Sequence, residues 1–237
     1  TAIAPNLQAL ANEGRVFTNC YSASPLCAPA RASILTGAHV REHRVCTNGD
    51  EFPASMPTFL HGLQKEGYRT TVSGKTHFIG PDQLHGFDDR LTTDIYPSDF
   101  VWSRDWDKPV SHDPGTSVDK LSQSGVCRTN MQINYDTEAT NRAVEFLQEH
   151  ALDGAVQPFF LMLSLTQPHE PFETLQEYWD LYEDIEMQCP DAALGGAPDK
   201  HPYDRMLDVY HGLDRNAPDA ERIRTSIRAH LGMITHV

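Results

Sequence analysis

A chain of 237 residues is long enough to bury one sizeable core or two smaller ones. Its formal net charge of -14, from 33 Asp and Glu against 19 Lys and Arg, argues against a nucleic-acid partner, so any anion it handles must be held by locally placed cations. No apolar run approaches the roughly 18 residues of a membrane span, and the five scattered cysteines make neither a disulfide framework nor a Cys-x-x-Cys metal pair.

Pro5 to Glu13 reads as a short helix closed by Gly14, and Arg15 to Cys20 as a strand feeding the loop before Cys27. A second helix follows in Cys27-Ala-Pro-Ala-Arg-Ala-Ser-Ile-Leu-Thr36. Pro29 suits a first turn, where its missing N–H forfeits nothing, and Gly37 suits the residue past the end. Cys27 then sits at a helix N-terminus, where N–H groups and the dipole favour an anion, and Arg31 one turn on adds a permanent cation. A lone free cysteine is commonly a small buried hydrophobe. Its combination with a helix start and an arginine marks an anion-processing site.

Pro57 to Glu66 puts Phe59, Leu60 and Leu63 on one helical face and stops at Gly67, and Tyr68 to Ser73 has strand composition. That strand delivers Gly74-Lys75-Thr76-His77. Asp136 is placed to cap a helix reaching about His150, with Ala139, Ala143 and Leu147 along one side. Phe159 to Leu165 is an unbroken apolar strand that delivers Gln167-Pro168-His169. Leu175, Tyr178, Leu181, Tyr182 and Ile185 form a helical stripe, as do Ile223, Ile227, Leu231 and Ile234. Ser103 to Asn130 and Met187 to Asp219 read as insertions. Both termini fall close to or inside elements, and the expectation is a piece of a larger protein.

Helices alternating with apolar strands indicate an α/β fold around a largely parallel sheet, which binds ligands beyond the carboxyl ends of its strands. Lys75, His77 and His169 all fall just past such ends. Lys75 and His77, two residues apart, share a side in extended backbone. A Lys and a His in a loop are also commonly solvated, and His169 reads equally well as a structural cap. Mostly reduced thiols favour the cytoplasm, with a secreted or periplasmic setting as the alternative.

Cys27-x-Pro29-x-Arg31 followed by Leu35-Thr36-Gly37 resembles the signature of the type I sulfatases, whose cysteine is oxidised after translation to formylglycine. Gly74-Lys75-Thr76-His77 is similar to that family's Gly-Lys-x-His segment, and Pro168-His169-Glu170-Pro171 to its Pro-His-x-Pro element. Residues 24–33, 74–87, 91–100 and 179–184 further resemble the choline-sulfatase branch, and the likeness fades in the two insertions.

The resemblance implies an alkaline-phosphatase/sulfatase-like α/β fold, a largely parallel sheet flanked by helices and incomplete at both ends. Residues 1–237 would be the N-terminal part of a sulfatase catalytic domain without its first strand and C-terminal portion, inactive by itself. The implied activity is hydrolysis of a sulfate ester, choline sulfate foremost. An aryl sulfatase or phosphonate monoester hydrolase is the nearest rival, and a non-catalytic binding module retaining the fold is the alternative of another class.

In the implied mechanism the residue-27 aldehyde is hydrated and held at a divalent cation, calcium, with residue 27 as a metal ligand. One hydroxyl attacks sulfur, His169 protonates the departing alcohol, and His77 takes the second hydroxyl's proton as sulfate is expelled. Arg31 and Lys75 surround the sulfate oxygens. Asn48 matches a sulfate-facing position, although Asn48-Gly49 is also an ordinary turn pair. Trp102 and Trp106 offer aromatic faces to a quaternary ammonium or serve as packing, and Asp107 to Lys120 lacks the aromatic residues of the branch. The implied partners are a small-molecule sulfate ester and a formylglycine-generating or sulfatase-maturing enzyme. No nucleic acid and no membrane are expected, and a homo-oligomer is compatible with the sequence.

Overall fold

The protein is described by a computed structural model covering residues 2–102, 117–152, 154, 157–190 and 200–237. It divides into two units, one of Phe17–Asp105 with Asn134–Thr166 and the other of Thr1–Val16, Trp106–Ile133 and Gln167–Val237.

The first unit is organised by β1 (Arg69–Gly74), which is buried from Thr70 onward. Burial follows from its place: β2 (Asp89–Arg90) pairs on one side and β4 (Phe159–Ser164) on the other, both parallel to it. The register runs from Arg69 opposite Phe159 to Gly74 opposite Ser164, so β1 and β4 end level. Only the middle strand has the expected full burial; β4 borders the sheet and is half-buried.

Two helices cover β1. α2 (Cys27–Thr36) starts after Leu26 and stops at Gly37, whose φ of 68° is the left-handed conformation that a helix end takes readily at glycine. It brings Ala28, Ala32 and Leu35 into a core with Val45, Phe52, Val72, Phe78 and Phe87. α4 (Phe59–Lys65), begun by a Thr58/His61 capping box, adds Leu60. Burying that leucine contributes about 2 kcal/mol. Between them, α3 (Val40–His43) buries His43, whose Nδ1 accepts the Val45 N–H at 3.1 Å. The proton is therefore on Nε2, which donates to Ser33 Oγ at 2.8 Å on α2.

α5 (Met131–Leu152) starts earlier than the sequence pattern predicts. Asn130 supplies the cap, its Oδ1 accepting the Ile133 N–H at 2.8 Å. Asp136 lies inside the helix, where its Oδ1 accepts the Thr166 N–H at 2.7 Å and hydroxyl at 2.8 Å. The buried face runs through Ala139, Ala143 and Phe146, leaving the expected Leu147 exposed. Arg15–Cys20 is not a strand, and Val16 and Phe17 are exposed. β propensity needs a partner edge to become structure, and among the described residues this segment pairs with none.

In the second unit, β3 (Gly125–Val126) and β5 (Glu173–Thr174) form a short parallel pair under α8 (Ala220–His236). The face α8 buries is Ile223, Ser226, Ala229, Gly232 and Met233, with Ile227, Leu231 and Ile234 only partly covered. Small residues decide this seating: a Cβ on Gly232 would lie 2.8 Å from Thr174 Oγ1. The expected Leu175–Ile185 stripe is helical only over α6 (Gln176–Asp180), and of its later members Tyr182 is buried while Leu181 and Ile185 are exposed. Each of the two stretches read as insertions contains structure: β3 in the first, and α7 (Pro202–Tyr210) in the second. α1 (Pro5–Glu13) matches its expected span and buries no side chain. Among the described residues no helix is long and apolar enough to cross a membrane.

Candidate active site

The level ends of β1 and β4 build the site in the first unit. Gly74 has φ 104°, and a Cβ there would stand 1.9 Å from the Ser164 carbonyl oxygen, so glycine alone permits the two strand ends to approach. The Lys75 N–H donates to that same oxygen at 2.8 Å. Arg31, one turn into α2, donates from Nη1 to the Lys75 carbonyl and to Ser164 Oγ, each at 2.8 Å. Helix and both strands are thus tied by one guanidinium.

Cys27 is the first helical residue of α2. Lys75 Nζ reaches its Sγ at 3.7 Å, and Asn48 Oδ1 accepts the next backbone N–H, that of Ala28, at 3.0 Å. Asn48 therefore acts on the helix start beside the sulfur. Lys75 is 3% exposed, its ammonium lying 4.5 Å from the centre of the Tyr96 ring. Burial pushes that ammonium below its ordinary range, Cys27 pulls it back up, and Arg31 adds to the lowering. Burial likewise lowers Arg31, against Cys27 and Asp94, but a guanidinium stays charged across the working range.

His77 is buried and its ring centre lies 4.9 Å from that of Tyr96. Lys75 and His77 meet the same Tyr96 ring, but not through the extended backbone that the sequence reading assumed, because His77 has φ 55°. Asp94 faces that turn. Its Oδ2 accepts the Thr76 N–H at 2.8 Å, the Thr76 hydroxyl at 2.7 Å and the His77 N–H at 2.7 Å. Arg90 donates to it at 3.2 Å and also to Thr76 Oγ1. Burial would raise the Asp94 carboxyl, but the hydrogen bonds from Thr76, His77 and Tyr96 prevail and hold it below the usual range.

Lys75 contacts both Cys27 and Arg31, Asn48 joins at the neighbouring Ala28 N–H, and His77 is linked through Tyr96. His169 belongs to the second unit, where its Nδ1 stands 2.8 Å from the Glu170 carbonyl oxygen and 3.1 Å from Glu170 Oε2. Two acceptors on one nitrogen fix the proton there, which makes Nε2 the nitrogen that can exchange one. Of the proposed aromatic wall, Trp106 and the Trp102 side chain lie outside the described residues; the Trp102 backbone ends a 3-10 turn, Phe100–Trp102. Sequence reasoning assigned no role to Asp94, Tyr96 or Ser164. Asp94 had a signal in Arg90-Leu-Thr-Thr-Asp94, a cation and a carboxylate four apart; Ser164 had none, since strand register decides it.

The family model described as Sulfatase matches residues 1–232. The chain belongs to the sulfatase family. It is 38% identical over 244 residues to the choline-sulfatase of Rhizobium meliloti (strain 1021), covering 99% of this chain and 47% of that enzyme. It is 26% identical to the arylsulfatase of Clostridium perfringens (strain 13 / Type A), over 98% of this chain and 51% of the relative. This sulfatase chain thus spans about half the length of both relatives. Among solved structures, the phosphonate monoester hydrolase of Silicibacter pomeroyi superposes with a TM-score of 0.66 at 23% identity, over 100% of this chain and 52% of that one. The structure of BT4656 in complex with its substrate D-glucosamine-2-N,6-O-disulfate superposes with a TM-score of 0.61 at 19% identity, over 98% and 54%. The expected α/β fold, with a parallel sheet flanked by helices, is the one observed.

Membership in the family implies a divalent metal and a formylglycine in general. Among the described residues no group of three or more His, Cys, Asp or Glu side chains could hold a metal. The charged groups set against Cys27 are the cations Lys75 and Arg31, which repel another cation. These donors do not by themselves fit a divalent ion.

Proposed function

We propose that this chain is the N-terminal part of a catalytic domain that hydrolyses a sulfate ester, choline sulfate being the favoured substrate, with residue 27 as nucleophile after conversion to formylglycine. The observation that carries the reading is the sulfur of residue 27 at the first turn of α2, 3.7 Å from Lys75 Nζ, with Arg31 one helical turn on. The likeness to choline-sulfatase favours the choline ester. Calcium is the favoured identity for the divalent cation that membership in the family implies.

Each residue then has a task that its surroundings suit. Arg31 and Lys75 receive the sulfate oxygens and stabilise charge as it redistributes during attack on sulfur. Asn48 steadies the helix start on which residue 27 rides. His77 removes the proton of the second hydroxyl of hydrated residue 27, whose C–O bond to sulfate breaks as the aldehyde returns. His169, its Nδ1 held by Glu170, gives the Nε2 proton to the departing alcohol. An enzyme that converts Cys27 is a required partner.

Mass spectrometry of the peptide spanning Cys27 after expression in a converting host tests this, the expected loss being about 18 Da for thiol to aldehyde. The converted, longer protein is expected to release sulfate from choline sulfate faster than from an aryl sulfate or a phosphonate monoester, and Cys27→Ala to abolish release. An intact thiol together with no hydrolysis of any of these esters would leave a binding module.

A further inference from the structure

A buried carboxylate outside the expected site residues sits directly behind the Lys75-Thr76-His77 turn. The Asp94 side chain is 6% exposed, and its Oδ2 gathers the Thr76 N–H, the Thr76 hydroxyl, the His77 N–H and Arg90. Its other oxygen accepts the Tyr96 N–H at 3.2 Å. Two of those donors are backbone groups of consecutive residues, the second of which is His77 at φ 55°. A non-glycine residue holds that left-handed conformation only where its surroundings over-determine it. One carboxylate thus grips both the residue carrying the imidazole and the residue carrying the ring on which that imidazole and the Lys75 ammonium rest.

We propose that Asp94 is a positioning residue of this site: it sets the turn that aims His77 and, through the Tyr96 backbone, fixes the aromatic surface shared by His77 and Lys75. Asp94 touches no reacting atom. Its effect is transmitted by two backbone segments, 76–77 and 96, so losing it turns the imidazole without removing it. For its consequence in catalysis, the inference rests on the sulfate-ester reading above; for its geometry it does not.

The contrast is with Asp88, an exposed carboxylate at the opposite end of β1 that makes a similar set of contacts. Asp88 accepts the Thr70 N–H at 2.9 Å, the Thr70 hydroxyl at 3.0 Å and the Gln64 amide at 2.7 Å, away from Lys75 and His77. Asp94→Ala, Asp94→Asn and Asp88→Ala are compared in the converted, longer protein. For Asp94→Ala the expected loss in kcat on choline sulfate is about 10²-fold, the scale of a small misplacement of a reacting group, with KM little changed. Asp94→Asn keeps one oxygen for the Thr76 and His77 N–H groups but turns an NH2 toward the Tyr96 N–H, so it restores part of kcat. Asp88→Ala lowers the melting temperature and leaves kcat near that of the parent.

The second readout is the His77 imidazole in ¹H–¹⁵N NMR, which needs no activity. Its resonances should move in Asp94→Ala and stay in Asp94→Asn and Asp88→Ala. If Asp94→Ala leaves both kcat and the His77 resonances unchanged, or if Asp88→Ala moves them equally, Asp94 is a structural carboxylate only. Should the parent hydrolyse no sulfate ester, the functional reading fails, and the His77 resonances alone decide the role of Asp94. If Asp94→Ala does not fold, Asp94→Asn decides: a large kcat loss with displaced His77 resonances would contradict the assignment to the accepting oxygen.

Discussion

Gly74→Ala isolates how closely the site depends on one missing methyl group. The new Cβ would meet the Ser164 carbonyl oxygen at 1.9 Å and its carbon at 2.8 Å, both backbone atoms that no rotamer change can move. Alanine at φ 104° costs about 1–3 kcal/mol before any overlap is counted. Relieving the overlap pulls the ends of β1 and β4 apart and breaks the Lys75 N–H bond to Ser164 and the Arg31 bond to its hydroxyl, about 1 kcal/mol each. The expected destabilisation is about 4 kcal/mol. Gly37→Ala is the control, with φ 68° and nothing within 4 Å of its Cβ, and is expected to cost only about 1 kcal/mol. Urea denaturation followed by far-ultraviolet circular dichroism measures both. Equal losses in the two variants, within about 0.5 kcal/mol, would refute the steric argument and leave only backbone conformation.

Arg31→Lys cannot bridge the Lys75 carbonyl and Ser164 Oγ while also offering a planar fork, and kcat/KM of the converted protein should fall about 10²-fold or more. Lys75→Met removes a buried charge: the urea midpoint at neutral pH should hold or rise while sulfate release disappears. Because burial lowers Lys75 below 10.5 in the folded state, the unfolded chain binds its proton more tightly, so the parent gains stability as pH rises from that depressed value towards 10.5, and Lys75→Met lacks this gain. At the acid side, burial lowers His43, His85 and His230, so stability is full above 6.5 and is lost as pH falls through their depressed values. His85→Phe, in a space already bounded by Phe52 and Phe78, should flatten part of that loss in urea midpoints measured against pH. A further loss, from Asp82, Asp88 and Asp94, begins only as pH drops below 3.8 towards their lowered folded values.

The helix that carries Cys27 was legible in the sequence because its start and stop signals are local: a proline in the first turn and Gly37 just past the end. β1 and β4 were legible to within about a residue at each end for the same reason. What failed was non-local. Arg15–Cys20 has strand composition, but pairing requires an edge that sequence composition does not supply. Asp136 has the side chain of a cap, yet Asn130 takes that task and Asp136 bonds Thr166 thirty residues away. On α8 the large aliphatic stripe suggested one face, whereas close approach to β5 selects the side with Ala229 and Gly232. Within the site, Cys27, Arg31, Lys75 and His77 were readable as motif positions. Ser164 depended on strand register, which no spacing announces. Asp94 had its spacing from Arg90 as a signal, but its grip on the 76–77 turn exists only once the chain is folded.

Arg31 commits Nη1 to the protein, and among the described residues its Nε and Nη2 donate to no protein acceptor. Those donors and the Lys75 ammonium are two immobile positive charges. A sulfate monoester is a monoanion, whereas liberated inorganic sulfate is a dianion. Coulomb attraction to a fixed pair roughly doubles with the second negative charge. On the proposed sulfate-ester reading, a site that receives the ester would therefore grip the leftover ion harder, and turnover would be paced by its escape.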